Sequence, residues 1–179
     1  ATANVGESMP EKAGDYFAWG ETSPKAKYDW STYLWCNYSN GALDCLTKYN
    51  TQSDLGAVDK LTTLSLADDA ANHNWGGDWR MPTRAEQEEL LYNCTWTWTT
   101  QNGVNGYNVE GPNGNSIFLP AAGYRFGTTI YEVQYGGYYW SATEDGSYEA
   151  YCLLCYSNQA GISYDYRYYG CSVRLVKDL

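Results

Sequence analysis

The segment 136–179 most constrains what this chain can fold into, because tyrosine, serine, glycine, aspartate, asparagine and cysteine dominate it. Eleven of the nineteen tyrosines lie between Tyr131 and Gly170, a stretch with no lysine and one arginine, Arg167. Buried tyrosine needs a partner for its hydroxyl, so cores favour aliphatic residues and phenylalanine. Tyrosine mixed with small polar residues is typical of binding surfaces. The segment therefore predicts an interaction surface; a tyrosine-rich sheet face without a ligand is the alternative.

Length and charge narrow the classes of partner. A chain of 179 residues predicts a single domain over 1–179. Its formal net charge is −10, whereas nucleic acids and anionic membranes bind basic patches, so we expect neither as a partner. No apolar run approaches the ~20 residues of a transmembrane helix, so we expect no membrane insertion by this domain. We expect a monomer, and because the chain starts at Ala1 without an initiating Met, we expect that a targeting segment has been removed.

The six cysteines are too few for a disulfide scaffold at this length. Cys36 and Cys45 bracket a short loop and would pair in an oxidising compartment; free thiols are the alternative. Cys152 and Cys155 have C-x-x-C spacing, but residues i and i+3 point to opposite faces of a strand, so their sulfurs would not converge. We therefore predict that Cys155 packs as a small hydrophobe and that Cys152 is exposed.

Few residues suggest catalysis or metal binding. His73 is the single histidine, so any Ser-His-Asp or Cys-His arrangement would need it; its neighbours indicate a loop or capping residue. Asp68 and Asp69 are candidate metal ligands, but no third hard ligand follows at a regular spacing. The first turns of a short helix are the better prediction for both. We expect no catalytic residue, metal ion or cofactor.

The first half of the chain predicts two helices among irregular segments. Residues 16–19 predict a short buried strand, and 36–63 a surface loop. Residues 64–73 predict a helix with Ser65 as its N-cap. The clearest helix runs from about residue 84 to 93 behind a capping box of Thr83 and Glu86. Its expected apolar stripe consists of Ala85, Leu90 and Leu91.

The second half predicts short antiparallel strands. Residues 95–99 alternate strictly, with Trp96 and Trp98 on one face. Residues 107–119 predict a hairpin around the turn 111–114. The chain is expected to leave this sheet at 120–125 and to re-enter it at Gly136 and Gly137. Further strands are predicted over 138–142, 151–157 and 172–177, the last with Val173 and Leu175 on one face. The predicted class is α+β, with two helices packed on short antiparallel strands and much irregular loop.

Five motifs carry a resemblance to a known family: GDYFAWGETSP (14–24), WGGDWRMPTRAEQEELL (75–91), SIFLPAAGYR (116–125), GYYWSAT (137–143) and RYYGCSVRLV (167–176). They resemble the C-type-lectin fold in the subgroup shared with formylglycine-generating enzyme, found in surface lipoproteins of gut bacteria. The resemblance covers nearly the whole chain. It implies a C-type-lectin-like fold and an extracellular location, as a lipoprotein at the cell surface or on a phage tail.

The resemblance does not extend to the calcium site of calcium-type lectins. Those lectins use Glu-Pro-Asn or Gln-Pro-Asp together with Trp-Asn-Asp. Here a glycine interrupts the first motif between Glu110 and Asn113, and the second is absent. Carbohydrate binding by stacking on tyrosine remains open.

The segment 136–179 also resembles the variable region of proteins diversified by a diversity-generating retroelement. In these proteins adenines of a template repeat are mutated, so that Asn codons become codons for Tyr, Asp, Ser, Cys, Gly, Leu and others, but never Lys, Glu, Gln, Met or Trp. The resemblance implies a fixed scaffold of Trp140, Ser141, Ala150, Leu153, Arg167, Gly170 and residues 172–176. It implies variable, ligand-binding positions at Tyr138, Tyr148, Cys152, Leu154, Tyr156, Gly161, Ser163, Tyr164, Asp165, Tyr166, Tyr168, Tyr169 and Cys171.

Strand periodicity gives a separate argument. Cys152, Leu154 and Tyr156 would share one face of a strand and leave the other face to the core. The predicted function is a ligand-binding display protein that presents a diversified, tyrosine-rich surface to a protein or glycan. The alternatives are a structural or adhesive surface module without such a site, and an enzyme of the formylglycine-generating type. The expected anchors, whose replacement should leave the melting temperature nearly unchanged, are Tyr138, Tyr156, Tyr164, Tyr166, Tyr168 and Tyr169, with Ser163 and Asp165 giving polar selectivity.

Overall fold

The computed structural model describes residues 1–39, 41, 44–146 and 148–178. Within them the chain forms an α+β domain with two α-helices and three small antiparallel sheets, which confirms the predicted class. The helices are α1 (Ala70–Trp75) and α2 (Arg84–Asn93), with short 3-10 helices at Trp30–Thr32 and Leu66–Asp68. Asn40, Ala42 and Leu43 of the predicted loop, and Ser147 and Leu179 of the segment 136–179, lie outside the described residues.

The strands group by sequence order. The first sheet contains β1 (Thr95–Gln101), β2 (Val104–Glu110) and β3 (Ser116–Pro120), and the second pairs β4 (Tyr124–Phe126) with β5 (Thr129–Tyr131). The third contains β6 (Gly136–Glu144), β7 (Glu149–Tyr156) and β8 (Gln159–Tyr166). The predicted return of the chain to the first sheet at Gly136 is therefore wrong, because β6 pairs with β7 instead. Strand β8 was not predicted, since Gly161, Ser163 and Asp165 lower its strand propensity.

Helix α2 has the predicted bounds and capping box. Thr83 Oγ1 accepts from Glu86 N at 3.3 Å, and Glu86 Oε2 accepts from Thr83 N at 2.8 Å. The predicted apolar stripe is partly wrong, because Ala85 is exposed and Gln87 is buried. Gln87 Nε2 donates to the backbone carbonyls of Tyr139 and Trp140 in β6. An amide therefore joins this helix to the third sheet.

The predicted helix over 64–73 is divided at Asp69. Asp69 Oδ1 accepts from the amides of Ala71 and Asn72, and Oδ2 accepts from Met81 N, so α1 begins immediately after it. Ser65 precedes the 3-10 helix, but its side chain makes no cap hydrogen bond. Asp68 instead accepts from the Tyr49 hydroxyl. Both aspartates therefore fix loop and helix ends.

The N- and C-terminal segments fill the core without forming strands. Residues 16–19 are buried as predicted, but they make a single bridge, Phe17 to Cys171. Val173 and Leu175 are fully buried, yet the predicted strand over 172–177 is wrong. Alternate residues there bridge to three different parts of the chain, so no continuous ladder forms. Within the described residues, no helix has the length and apolarity to span a bilayer.

The loop that follows the first 3-10 helix is closed by a disulfide between Cys36 and Cys45, with the Cα atoms 4.7 Å apart. Of the two states that the sequence left open, disulfide or free thiols, the structure has the disulfide. Leu46 and Tyr49, just beyond the bridge, are fully buried, so the irregular segment is attached to the core.

Candidate ligand-binding surface

Most of the predicted tyrosines belong to a continuous set of aromatic rings. Neighbouring ring centroids lie 4.7 to 6.4 Å apart, and the rings come from three stretches of the chain. We call this set the aromatic surface; its members are Trp30, Tyr124, Phe126, Tyr131, Tyr138, Tyr148, Tyr156, Tyr166, Tyr168 and Tyr169.

At one end of the aromatic surface, rings pack around Tyr168. Tyr166 stacks on Tyr168 at 5.5 Å and 12°, and Trp30 meets Tyr168 edge-on at 4.8 Å. Trp30 begins a 3-10 helix that Asp29 caps through the amide of Thr32. The N-terminus of this 3-10 helix therefore holds the indole of Trp30 in place against Tyr168, although the two residues are far apart in sequence.

At the other end, Tyr124 of β4 is the central ring. It stacks on Tyr169 at 5.2 Å and on Tyr131 at 5.7 Å, and it lies 4.7 Å from Tyr138 in a tilted arrangement. Paired backbone hydrogen bonds of 2.7 and 2.9 Å between residues 125 and 170 join β4 to the C-terminal segment. The hairpin of β4 and β5 is therefore a fixed part of the aromatic surface.

Two carboxylates, Glu132 and Asp165, act electrostatically on Tyr124. Glu132 Oε2 accepts from the hydroxyls of Tyr138 at 2.7 Å and Tyr156 at 2.6 Å. Its backbone φ is +58°, a left-handed conformation that glutamate seldom adopts and that surrounding contacts must support. Asp165 of β8 is half-buried, and burial, with the charges of Glu149 and Glu132, raises its pKa to about 6. Burial is also the main cause that raises the pKa of Tyr124 to about 12.

The aromatic surface has an open layer and a buried layer. Phe126, Tyr131 and Tyr166 expose 41 to 43% of their surface, whereas Tyr138 and Tyr168 expose 6 and 8%. Phe126 and Tyr166 pack against buried Tyr168, and Tyr131 stacks on half-buried Tyr124, which restricts the motion of the exposed rings. The expectation that several of the tyrosine anchors can be replaced with the melting temperature nearly unchanged does not extend to Tyr138 and Tyr168, because they contribute to the core.

Two predicted contact residues lie in the core. Cys152 and Cys171 are fully buried, which contradicts the prediction that Cys152 is exposed. The two-face assignment of β7 is confirmed, since Cys152, Leu154 and Tyr156 face one hydrophobic cluster and Leu153 and Cys155 another. Both faces of the strand are covered, however, so alternation here separates two cores instead of core and solvent.

The remaining predicted residues of β8 lie on two different faces of the strand. Gly161, Ser163 and Asp165 pair with Leu154, Cys152 and Ala150 of β7 and share their face. Tyr164 points to the opposite face, opposite Tyr151, and it is 55% exposed. The structure thus places Asp165 beside the aromatic surface, places Leu154, Gly161 and Ser163 on the neighbouring strands, and separates Tyr164 from it.

The three buried thiols, Cys152, Cys155 and Cys171, are free. Burial raises the pKa of each of them. Because Cys152 and Cys155 face different clusters, their sulfurs do not converge, as the strand pattern predicted.

Arg167 anchors the segment that carries the tyrosines. It is 1% exposed, between Tyr166 and Tyr168 in sequence. Its guanidinium donates to the carbonyls of Tyr49 at 2.7 Å and Glu149 at 3.0 Å, and to Glu144 Oε2 at 3.2 Å. Tyr49 and the adjoining ends of β6 and β7 thus hold Arg167 in place.

Sequence reasoning missed several members of the site: Trp30, Tyr124, Phe126, Tyr131 and Glu132. They lie outside 136–179, the segment on which the prediction concentrated. The aromatic residues on both strands of a short hairpin, 124–131, were the available signal; nothing local indicates that Trp30 reaches the same place.

The chain was compared with protein-family models, with characterised proteins and with solved structures, and no match was found in any of the three.

Proposed function

We propose that this protein is a ligand-binding display protein, and that its aromatic surface contacts a protein or glycan target. The observation behind this function is that exposed rings pack against buried and half-buried rings and lie beside two carboxylates, exposed Glu132 and half-buried Asp165. Rigid aromatic side chains give contact area at low entropic cost, and such anchors dominate interface energetics. A solvated sheet face needs neither the stacked rings nor the buried charge.

The scaffold in this proposal is C-type-lectin-like, and the protein acts outside the cell, at the surface of a bacterium or on a phage tail. The sequence motifs support the scaffold. The Cys36–Cys45 disulfide supports the location, because such bonds persist in oxidising compartments.

The segment 136–179 is, in this proposal, diversified by a retroelement. The burial pattern supports it in part: Trp140, Ser141, Ala150, Leu153 and Arg167 of the implied fixed scaffold are all buried. Variation at the buried positions Cys152 and Cys171 would be limited to small side chains. The test is the DNA around the gene. A near-copy of this coding segment that differs only at adenines, beside a reverse transcriptase, supports diversification; its absence contradicts diversification and leaves binding untouched.

Binding is tested with a displayed random peptide library and a glycan array. The variant Phe126→Ala/Tyr131→Ala/Tyr166→Ala removes only exposed rings, so it should fold. The control is Tyr92→Ala, because Tyr92 is 77% exposed on α2 and outside the aromatic surface. We expect ligands that bind the wild type and the control but lose at least tenfold in affinity for the triple variant. Ligands that bind all three proteins equally would contradict the proposal.

A further inference from the structure

The charges beside the aromatic surface are predominantly negative. The charges of Glu149 and Glu132 both act on half-buried Asp165, and Glu132 also accepts from the hydroxyls of Tyr138 and Tyr156. Among the described residues, no lysine or arginine forms an ion pair with Glu132 or Asp165. The negative charges of Glu132 and Asp165 repel each other in the free protein, and a cationic partner would relieve this repulsion.

The nearby cations are engaged elsewhere. Arg167 is buried against Glu144, and the guanidinium of Arg125 lies 5.5 Å from the ring of Tyr28, in the core. Lys27 pairs with Asp29 at 2.5 Å. None of these side chains neutralises the carboxylates that act on Tyr124.

The rings beside these carboxylates also favour a cation. Tyr131 is the outer ring of the stack on Tyr124 and is 41% exposed, and the Tyr138 and Tyr156 hydroxyls both donate to Glu132. Aromatic faces carry negative charge density and attract ammonium and guanidinium groups within about 6 Å. A hydrogen bond from a phenol to a carboxylate strengthens this effect, because the polarised O–H bond shifts electron density to the phenol oxygen and its ring.

We propose that the ligand is a protein, and that it presents a lysine or arginine side chain to Tyr131, Glu132 and Asp165. This inference rests on the proposed function and specifies the ligand's chemistry. A neutral or acidic glycan offers no complementary charge, whereas a basic side chain provides both an apolar stem for the rings and a charge for the carboxylates.

The test uses three tripeptides, Ac-Ala-Lys-Ala-NH2, Ac-Ala-Nle-Ala-NH2 and Ac-Ala-Glu-Ala-NH2, titrated into the whole protein at low salt. The readout is the ring signals of ¹³C-labelled tyrosine in NMR spectra. We expect the lysine peptide to bind at least fivefold more tightly than the norleucine peptide, and the glutamate peptide to bind most weakly. Raising NaCl from about 0.05 to 0.5 M should weaken the lysine peptide only, because screening acts on charge.

Two matched variants test whether binding of the lysine peptide depends on the negative charges, with the fold kept intact. Glu132→Gln/Asp165→Asn should lose about tenfold in affinity for the lysine peptide, whereas Glu110→Gln, an exposed carboxylate at the end of β2, should lose none. Circular dichroism checks the fold of both. If the double variant misfolds, the salt titration of the wild type decides. Equal affinity for lysine and norleucine peptides, or an unchanged double variant, would overturn the inference.

The library and array separate this inference from the proposed function. Ligands enriched in Lys or Arg that depend on Glu132 and Asp165 support the inference. Glycans, or peptides without a basic residue, that depend on the exposed rings would overturn the inference and leave the proposed function standing. Ligands insensitive to loss of the rings would overturn both.

Discussion

Asp165→Asn is expected to stabilise the protein at neutral pH, because it removes a half-buried charge without changing the shape of the side chain. The folded-state pKa of Asp165 is about 6, against an ordinary value of 3.8. One pKa unit corresponds to 1.36 kcal/mol, so the charge costs at most ~3 kcal/mol. Partial exposure to solvent reduces this to about 1–2 kcal/mol. The melting temperature should therefore rise by about 2–8 °C at pH 7.5.

The sign of the pH dependence follows from the raised pKa. Between pH 4 and 6 the folded state binds more protons than the unfolded state, so stability falls as pH rises through this window. The gain from Asp165→Asn should thus be fully present above pH 7 and should vanish near pH 4. The groups that face Asp165 are Glu132, Glu149, Cys152, Cys171 and the hydroxyls of Tyr124, Tyr156 and Tyr169.

The assay is urea unfolding at pH 4, 5, 6 and 7.5, followed by tryptophan fluorescence, with Glu110→Gln as the control for loss of one exposed negative charge. The control should change the free energy of unfolding by less than about 0.5 kcal/mol at every pH. A loss of stability at pH 7.5 in Asp165→Asn, or a gain of equal size at pH 4 and 7.5, would refute the reasoning.

Three further predictions concern the scaffold. Arg167→Met should cost about 3–5 kcal/mol in urea unfolding, because it leaves Glu144 buried without its cation, and Arg167→Met/Glu144→Gln should recover part of that loss; a cost below 1 kcal/mol would contradict the role of the arginine. Replacing both Cys36 and Cys45 by serine should cost about 2–3 kcal/mol, and reductant should lower the melting temperature of the wild type only; equal melting curves would show that the bridge does not form. Iodoacetamide should label half-buried Cys94 in the native protein and the three buried thiols only in denaturant, as read by peptide mass spectrometry; labelling of those thiols in the native state would contradict their burial.

The elements with strong local signals could be predicted from sequence. The capping box of Thr83 and Glu86 gave α2 its bounds, and the strict alternation around Trp96 gave β1. These features depend on neighbours within a few residues. The predicted strand at 172–177 failed because burial alone does not make a ladder, and its residues pair with three separate segments.

The candidate site was predictable in composition and less so in position. The tyrosine-rich composition of 136–179 pointed to a surface in this segment, and six of its tyrosines enter the aromatic surface. Period-two reasoning separated the faces of β7 correctly but assigned Cys152 to solvent, because sequence does not say whether the second face of a strand is covered. Trp30 and Glu132 reach the site through tertiary contacts alone.

The aromatic surface is assembled from the 3-10 helix at Trp30, the hairpin of β4 and β5, and the C-terminal segment. An antibody loop can be moved to another framework and keep much of its specificity, but this site has no such transferable part. A peptide with the sequence 136–178 would carry many of the rings and lack Trp30, Tyr124, Phe126 and Glu132. The aromatic surface therefore exists only in the folded chain, and any treatment that detaches one of the three stretches should disrupt it while the other two remain intact.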